Sequence, residues 1–169
     1  MDDATIRAFL EDDYPRLVRA VALVTGSPAI AEDAVQEAVV RAWERSERGE
    51  PIESLDRWVA AVAMNLSRSG LRHLRVERLA GPRLVATATV HPPEAEAVDV
   101  RRALASLPRR QREVAVLRYF LDLSTNDIAA AMRTSPGTVK SQLAKARAHL
   151  AEALALRDEP ERETDHADA

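Results

Sequence analysis

At 169 residues, with 46% hydrophobic, 30% charged and 4% aromatic side chains, the chain has the length of one average domain or two small ones and leans towards helix. It contains no cysteine, which excludes a disulfide-stapled fold, a thiolate metal site and a cysteine nucleophile. The net charge of −3 conceals an uneven distribution: residues 1–50 carry −5, residues 51–100 are neutral, residues 101–150 carry +7 and residues 151–169 carry −5. A block of +7 inside an acidic chain marks a polyanion-binding module, because Lys and Arg neutralise phosphates and release condensed counterions.

In residues 4–25, Ile6, Leu10, Tyr14, Leu17, Val21 and Val24 recur at three-four spacing and predict helix, kinked or restarted at Pro15 and stopped at Gly26. Residues 20–30 form the longest nearly uncharged run, well short of the roughly 18–20 residues of a membrane span, so no membrane insertion is expected. The acidic opening at Asp2 and Asp3 is unlike an export signal, and a cytoplasmic location is the expectation. Ser27-Pro28 supplies a cap and a first-turn proline for a helix with a narrow stripe of Ala31, Val35, Ala38 and Ala42. The aromatic area of Trp43, at the end of that stripe, is expected in the core. A polar loop is expected over residues 44–53.

Ser54 is the next cap. With Arg68 taken as zero and 100° per residue, Leu55, Val59, Val62, Ala63 and Leu66 fall between about 120° and 220°, an apolar face. Asn65, Arg68, Arg72 and Arg75 fall between about −20° and 60°, with Trp58 at about 80°. The helix is therefore two-sided, a core stripe backed by arginine, asparagine and tryptophan.

Periodicity fails over residues 80–98, where Gly81-Pro82 and Pro92-Pro93 mark a linker between a first domain, residues 1–79, and a second, residues 99–156. The second starts with Val100, Leu104 and Leu107, and Pro108 opens a further helix carrying Val114, Leu117 and Leu121. Ser124 can cap a short helix through Met132 in which Ile128 and Met132 face inward and the small Ala129 permits close approach. Ser135-Pro136 then caps a longer helix with Val139, Leu143, Ala146 and Leu150 inward. Two helices so joined describe a helix-turn-helix, from which Thr138, Lys140, Ser141, Gln142 and Lys145 project towards a major groove, Gln suited to adenine and Lys to phosphate or guanine. Residues 157–169 are acidic and poor in large apolar groups, and read as disordered.

The four histidines, His73, His91, His149 and His166, are scattered, and no phosphate loop or nucleophile elbow occurs. No catalytic residue, metal site or cofactor is expected, and the chain is not expected to be an enzyme.

The run Leu107 to Val114 (LPRRQREV), then Ile128-Ala129, then Ser135 to Ser141 (SPGTVKS), closing with Leu143, Ala146-Arg147 and Leu150, resembles region 4 of bacterial RNA polymerase sigma factors. Ala31 to Ala38 (AEDAVQEA), with Arg41-Ala42-Trp43 behind it, resembles the region 2 helix that grips the polymerase clamp, and Trp58 to Leu66 (WVAAVAMNL) resembles the promoter-melting segment. Both sets in this order, over about residues 10–155, resemble the extracytoplasmic-function group of the sigma-70 family. The resemblance implies an all-α fold of two small helical domains on a flexible linker. It implies a monomer that binds core RNA polymerase through Asp33, Gln36, Glu37 and Arg41. Region 4 would read the minus-thirty-five element as duplex DNA through Thr138, Lys140, Ser141, Gln142, Lys145 and Arg147. Region 2 would hold the minus-ten element as single strand on Trp58, Asn65, Arg68, Arg72 and Arg75. Residues 44–53 lie where family members hold a flipped base, and an anti-sigma factor is the further partner the resemblance implies. The alternative is a stand-alone helix-turn-helix regulator, since that half alone also resembles LuxR-type output domains. Arg133 stands in a turn position where the family often has Gly, Asn126-Asp127 replaces a pair usually ending in Glu, Ser69 stands where Asp is common, and Gly70 weakens the melting helix.

Overall fold

The computed structural model describes the backbone of residues 3–80 and 95–155 and the side chains of residues 4–70 and 100–153. The expected linker therefore lies mostly outside the described residues, as do the acidic tail and the side chains of Arg72 and Arg75.

Among the described residues, eight α-helices carry the fold. In the first half they are α1 (Asp3–Asp12), α2 (Tyr14–Thr25), α3 (Pro28–Glu47) and α4 (Leu55–Ala80), and in the second α5 (Ala95–Ser106), α6 (Arg109–Ala115), α7 (Thr125–Met132) and α8 (Pro136–Ala155). A five-residue π-helical turn, Val116–Phe120, extends α6. Among the described residues no helix is long and apolar enough to cross a membrane.

Local chemistry explains most boundaries. Pro15 in the first turn of α2 separates it from α1, and Gly26, at φ 71°, ends α2 by returning its N–H to the Ala22 carbonyl. The Ser27 hydroxyl caps α3 by accepting from the Ile30 N–H. α3 runs on to Glu47, so the loop expected from residue 44 begins only at residue 48. Its last turn is rich in helix-favouring Glu and Arg, and Gly49 at φ 73° makes the turn. Likewise α5 begins at Ala95, four residues inside the expected linker, because Pro92-Pro93 is followed by a helix-favouring Ala-Glu-Ala run.

Four side-chain expectations are corrected. In α1 it is Phe9 that is buried, while Leu10 is exposed; Val100 in α5 is also exposed. Trp43 is 42% exposed: the buried face of α3 is Ala31, Ala34, Val35, Ala38 and Ala42, and one residue further on turns the indole about 100° away from it. Among the described side chains of α4 the fully buried ones are Val59, Ala60, Ala63, Met64 and Ser67, whereas Leu55, Val62 and Leu66 are only half-buried. That face is rotated towards Met64 because α4 packs on α3 and α2 on one side and on α7 on another. Gly70 has a packing reason, since a Cβ there would lie 3.2 Å from the Ile30 side chain, so its absence lets α4 lie close on α3.

The helix-turn-helix forms as its capping residues require. Ser124 and Asp127 make a reciprocal capping box at the start of α7, so Asp127 serves where the family more usually has Glu. α7 ends in a Schellman motif: Thr134 N–H reaches Ala129 O at 2.9 Å and Arg133 N–H reaches Ala130 O at 3.2 Å. Arg133 carries the left-handed conformation at φ 51°, which strains any side chain with a Cβ. Arg133→Gly is therefore expected to raise the thermal midpoint by about 2–3 °C in a melting experiment, the relieved strain being partly offset by the looser unfolded chain.

The two halves are packed together. One hydrophobic cluster runs from Phe9, Val21 and Met64 to Leu117, Ile128 and Val139, and α2 and α4 touch the π-helical turn, α6 and α7.

Candidate nucleic-acid and polymerase interfaces

α8 is held by Val139, Leu143 and Ala146, all buried, so its opposite face is free. Lys140, Ser141, Lys145 and Arg147 are exposed on it. Gln142 is half-buried on the flank. Thr138 is also half-buried and takes part in the helix start, its N–H donating to Ser135 Oγ at 3.1 Å and its hydroxyl lying 2.9 Å from the same atom. His149, further along that flank, places Nδ1 2.7 Å from Oε1 of Gln111 and ties α8 to α6.

α3 presents Asp33, Gln36, Glu37 and Arg41 to solvent, with Arg41 Nε 2.8 Å from Glu37 Oε1. Between these polar groups stand Val40, 52% exposed, and Trp43, two large apolar side chains in water on one ridge. Sequence reasoning missed them as surface groups, although their offset from the alanine stripe was the available signal. A groove between α3 and α4 is floored by Trp58 and Val62 and rimmed by Arg41, Arg45, Arg48, Glu37 and Glu44. Arg45 and Arg48 both pair with Glu50 of the following loop, at 3.2 and 3.1 Å.

Asn65 and Arg68 of α4 face the other half of the chain. Asn65 Nδ2 donates to Ala61 O at 2.9 Å and to Ala131 O of α7 at 3.4 Å, while its Oδ1 accepts from Arg68 Nη1 at 2.6 Å. Arg68 Nη2 pairs with Glu113 of α6, whose side chain is only 3% exposed. Glu113 is a residue type almost never buried without a partner, and nothing local in the sequence marks it as buried. Arg16 of α2 donates from Nε and Nη2 to Phe120 O at 3.2 and 2.7 Å, and Arg112 donates to Ala105 O and Leu107 O and, across the halves, to Val24 O at 3.4 Å. Burial, and then Arg109 nearby, lower the Arg112 pKa from its ordinary value. Beside Arg16, the Asp13 carboxyl is pushed up by burial and then by Asp56, with Arg16 opposing.

Residues 9–76 match the Sigma-70 region 2 family and residues 97–150 the Sigma-70, region 4 family. The RNA polymerase sigma-E factor of Streptomyces coelicolor is 33% identical over 147 residues, 84% of this chain and 81% of that protein. The ECF RNA polymerase sigma factor SigL of Mycobacterium tuberculosis is 31% identical over 151 residues, covering 83% of each. Among solved structures, the sigma factor RpoE in complex with the anti-sigma factor NepR from Bartonella quintana matches with a TM-score of 0.77 at 25% identity, over 92% of this chain and 99% of that one. The chain belongs to the sigma-70 family of bacterial RNA polymerase sigma factors, in its extracytoplasmic-function group. It is a promoter-directing initiation factor for core RNA polymerase. The region 2 match is what separates it from a stand-alone helix-turn-helix regulator.

Proposed function

We propose that the chain acts in the cytoplasm without chemistry of its own, dividing promoter recognition between its halves, with region 2 over residues 1–79 and region 4 over residues 99–156. Lys140, Ser141, Lys145 and Arg147 of α8 meet the minus-thirty-five duplex, with Gln142 at the groove edge and Thr138 setting the start of the helix. The observation that carries this is the free, basic outer face of a capped helix in the second position of a helix-turn-helix. The minus-ten element is held as a single strand along α4 by Trp58, Asn65, Arg68, Arg72 and Arg75. An indole on the floor of a groove suits stacking by an unpaired base, and the Trp58 groove between α3 and α4, rimmed by three arginines and two glutamates, supports that reading.

Core polymerase docks on α3, with Val40 and Trp43 as an apolar centre and Asp33, Gln36, Glu37 and Arg41 as its polar rim, the usual anatomy of a protein interface. An anti-sigma factor is a further partner, by analogy with the RpoE–NepR complex to which this chain is similar.

Two double variants test the division. Lys140→Ala with Gln142→Ala is expected to weaken holoenzyme binding to a minus-thirty-five duplex by about tenfold to a hundredfold, a loss of about 1–3 kcal/mol, while leaving melting of a pre-docked promoter nearly intact. Asn65→Ala with Arg68→Ala is expected to impair melting, read by permanganate reactivity of the minus-ten thymines, and to spare duplex binding. Wild-type behaviour from all four substitutions would refute the assignments.

A further inference from the structure

The second half carries more positive charge than its reading helix uses. Lys140, Lys145 and Arg147 serve the outer face of α8, and Arg112 and Arg118 are engaged with backbone carbonyls, yet Arg101, Arg102, Arg109 and Arg110 stand exposed where α5 meets α6. Among the described residues, no side chain of these four makes an ion pair or a hydrogen bond. Arg112 gathers them: it donates to Ala105 O at 2.6 Å and to Leu107 O at 3.1 Å, which folds the first turn of α6 onto the last turn of α5. Arg101 and Arg102 lie one helical turn before Ala105. Arg109 and Arg110 lie just before Arg112, whose pKa is lowered by burial and then by Arg109.

The place of this patch on the fold decides what can reach it. His149 of α8 is bonded to Gln111, next to Arg110, and stands about 12 Å along the α8 axis from Ser141, away from the residues that start the helix. α8 ends at Ala155, about 9 Å beyond His149, and packs on both α6 and α5. The chain continues from there for 14 residues, of which residues 158–169 hold six carboxylates against the single Arg162, a net charge of −5. Such a length spans about 20 Å even as a random coil. A strongly acidic segment therefore departs from the helix that flanks the arginine patch.

From charge, length and point of departure we infer that the arginines at the junction of α5 and α6 form a docking surface for residues 158–169 of the same chain. The segment competes there with nucleic-acid phosphates and weakens the grip of region 4 on DNA that lacks a promoter. Guanidinium forks accept carboxylates and phosphates in the same geometry, and a short tether holds the segment at an effective concentration on the order of millimolar. If the patch is occupied nine-tenths of the time, a competing polyanion binds about tenfold more weakly. Lys140 and Ser141, at the other end of α8, stay uncovered for the minus-thirty-five element.

The absence of cysteine lets a nitroxide be placed on Ala167→Cys alone in the full chain. At about 0.05 M salt its broadening of amide resonances is expected at residues 100–112 and not at residues 138–145, and is expected to vanish at about 0.5 M salt, where the Debye length is only about 4 Å. Broadening centred on residues 138–145, or spread evenly, would overturn the docking surface.

The second readout is the anisotropy of a fluorescent twenty-base-pair duplex without promoter elements. Changing the six carboxylates to amides (Asp158→Asn, Glu159→Gln, Glu161→Gln, Glu163→Gln, Asp165→Asn and Asp168→Asn) is expected to tighten its binding about tenfold at the lower salt. In a chain that also carries Arg101→Gln, Arg102→Gln, Arg109→Gln and Arg110→Gln, all at exposed positions, the same six changes are expected to have no effect. Equal tightening in both backgrounds would show general charge repulsion in place of docking and would overturn the proposal. No tightening in either would overturn it as well, and weaker binding from the arginine changes alone would then assign the patch to DNA phosphates.

Discussion

Val40→Ala combined with Trp43→Ala is expected to cost about a hundredfold in affinity for bacterial core RNA polymerase. Truncating an interface tryptophan typically removes about 2–4 kcal/mol, each tenfold in affinity corresponds to about 1.4 kcal/mol, and the valine adds to the loss. The folded chain should be little affected. Both side chains stand in water on the outer face of α3, while the core face of that helix consists of alanines and Val35. Co-purification of the tagged variant with core polymerase, together with circular dichroism of the free chain, checks both halves of this expectation. Normal association by the double variant would move the docking surface off α3. The charged neighbours should matter less: the Glu37–Arg41 pair is solvent-exposed on both sides, and such pairs contribute roughly 0.2–1 kcal/mol. Glu37→Ala alone should therefore change the salt dependence of association more than its strength.

Ile128→Ala is expected to have the largest effect on stability. The side chain is fully buried in α7, and removing three carbons from such a site costs about 2–5 kcal/mol, the larger values where the surroundings cannot collapse. For a chain of this length that lowers the thermal midpoint by roughly 5–15 °C. Because the hydrophobic cluster continues from Met64 and Val21 into Leu117 and Ile128, calorimetry should show the whole chain shifting as one transition. A split transition in which the first half keeps its original midpoint would mean that the halves unfold independently. Ile128→Val, leaving a smaller cavity, should cost only about 0.5–1.5 kcal/mol.

Much of this was legible in the sequence because it is written locally. Ser27, Ser124 and Ser135 before helices, Gly26 after one, and prolines at positions 15, 28 and 136 act within a turn of where they stand, and the structure puts helix boundaries at all of them. The inward set of the helix-turn-helix follows from a 3.6-residue period that one packed face is enough to satisfy. Where a helix has several neighbours the same arithmetic slips. α4 is packed from more than one side, so its most buried residues include Ala60, Met64 and Ser67, outside the arc that apolarity alone selects. Trp43 shows the converse. Its size argues for burial, and its angle, one residue beyond the alanine stripe, argues against it; the angle prevails, because the backbone sets direction before area can count.

By itself, then, the sequence determined the helices, their caps, the helix-turn-helix and the basic character of its outer face, since each depends on residues within a few positions of one another. The tertiary structure alone decided what the polar stripe of α4 meets. Arg68 and Glu113 are 45 positions apart, and no periodicity or cap connects them. An arginine stripe has the same pattern whether it faces water, phosphate or a carboxylate of its own chain. The choice among these is made by long-range packing, which brings α6 and α7 against α4 and thereby gives Arg68 a partner that the local sequence does not reveal.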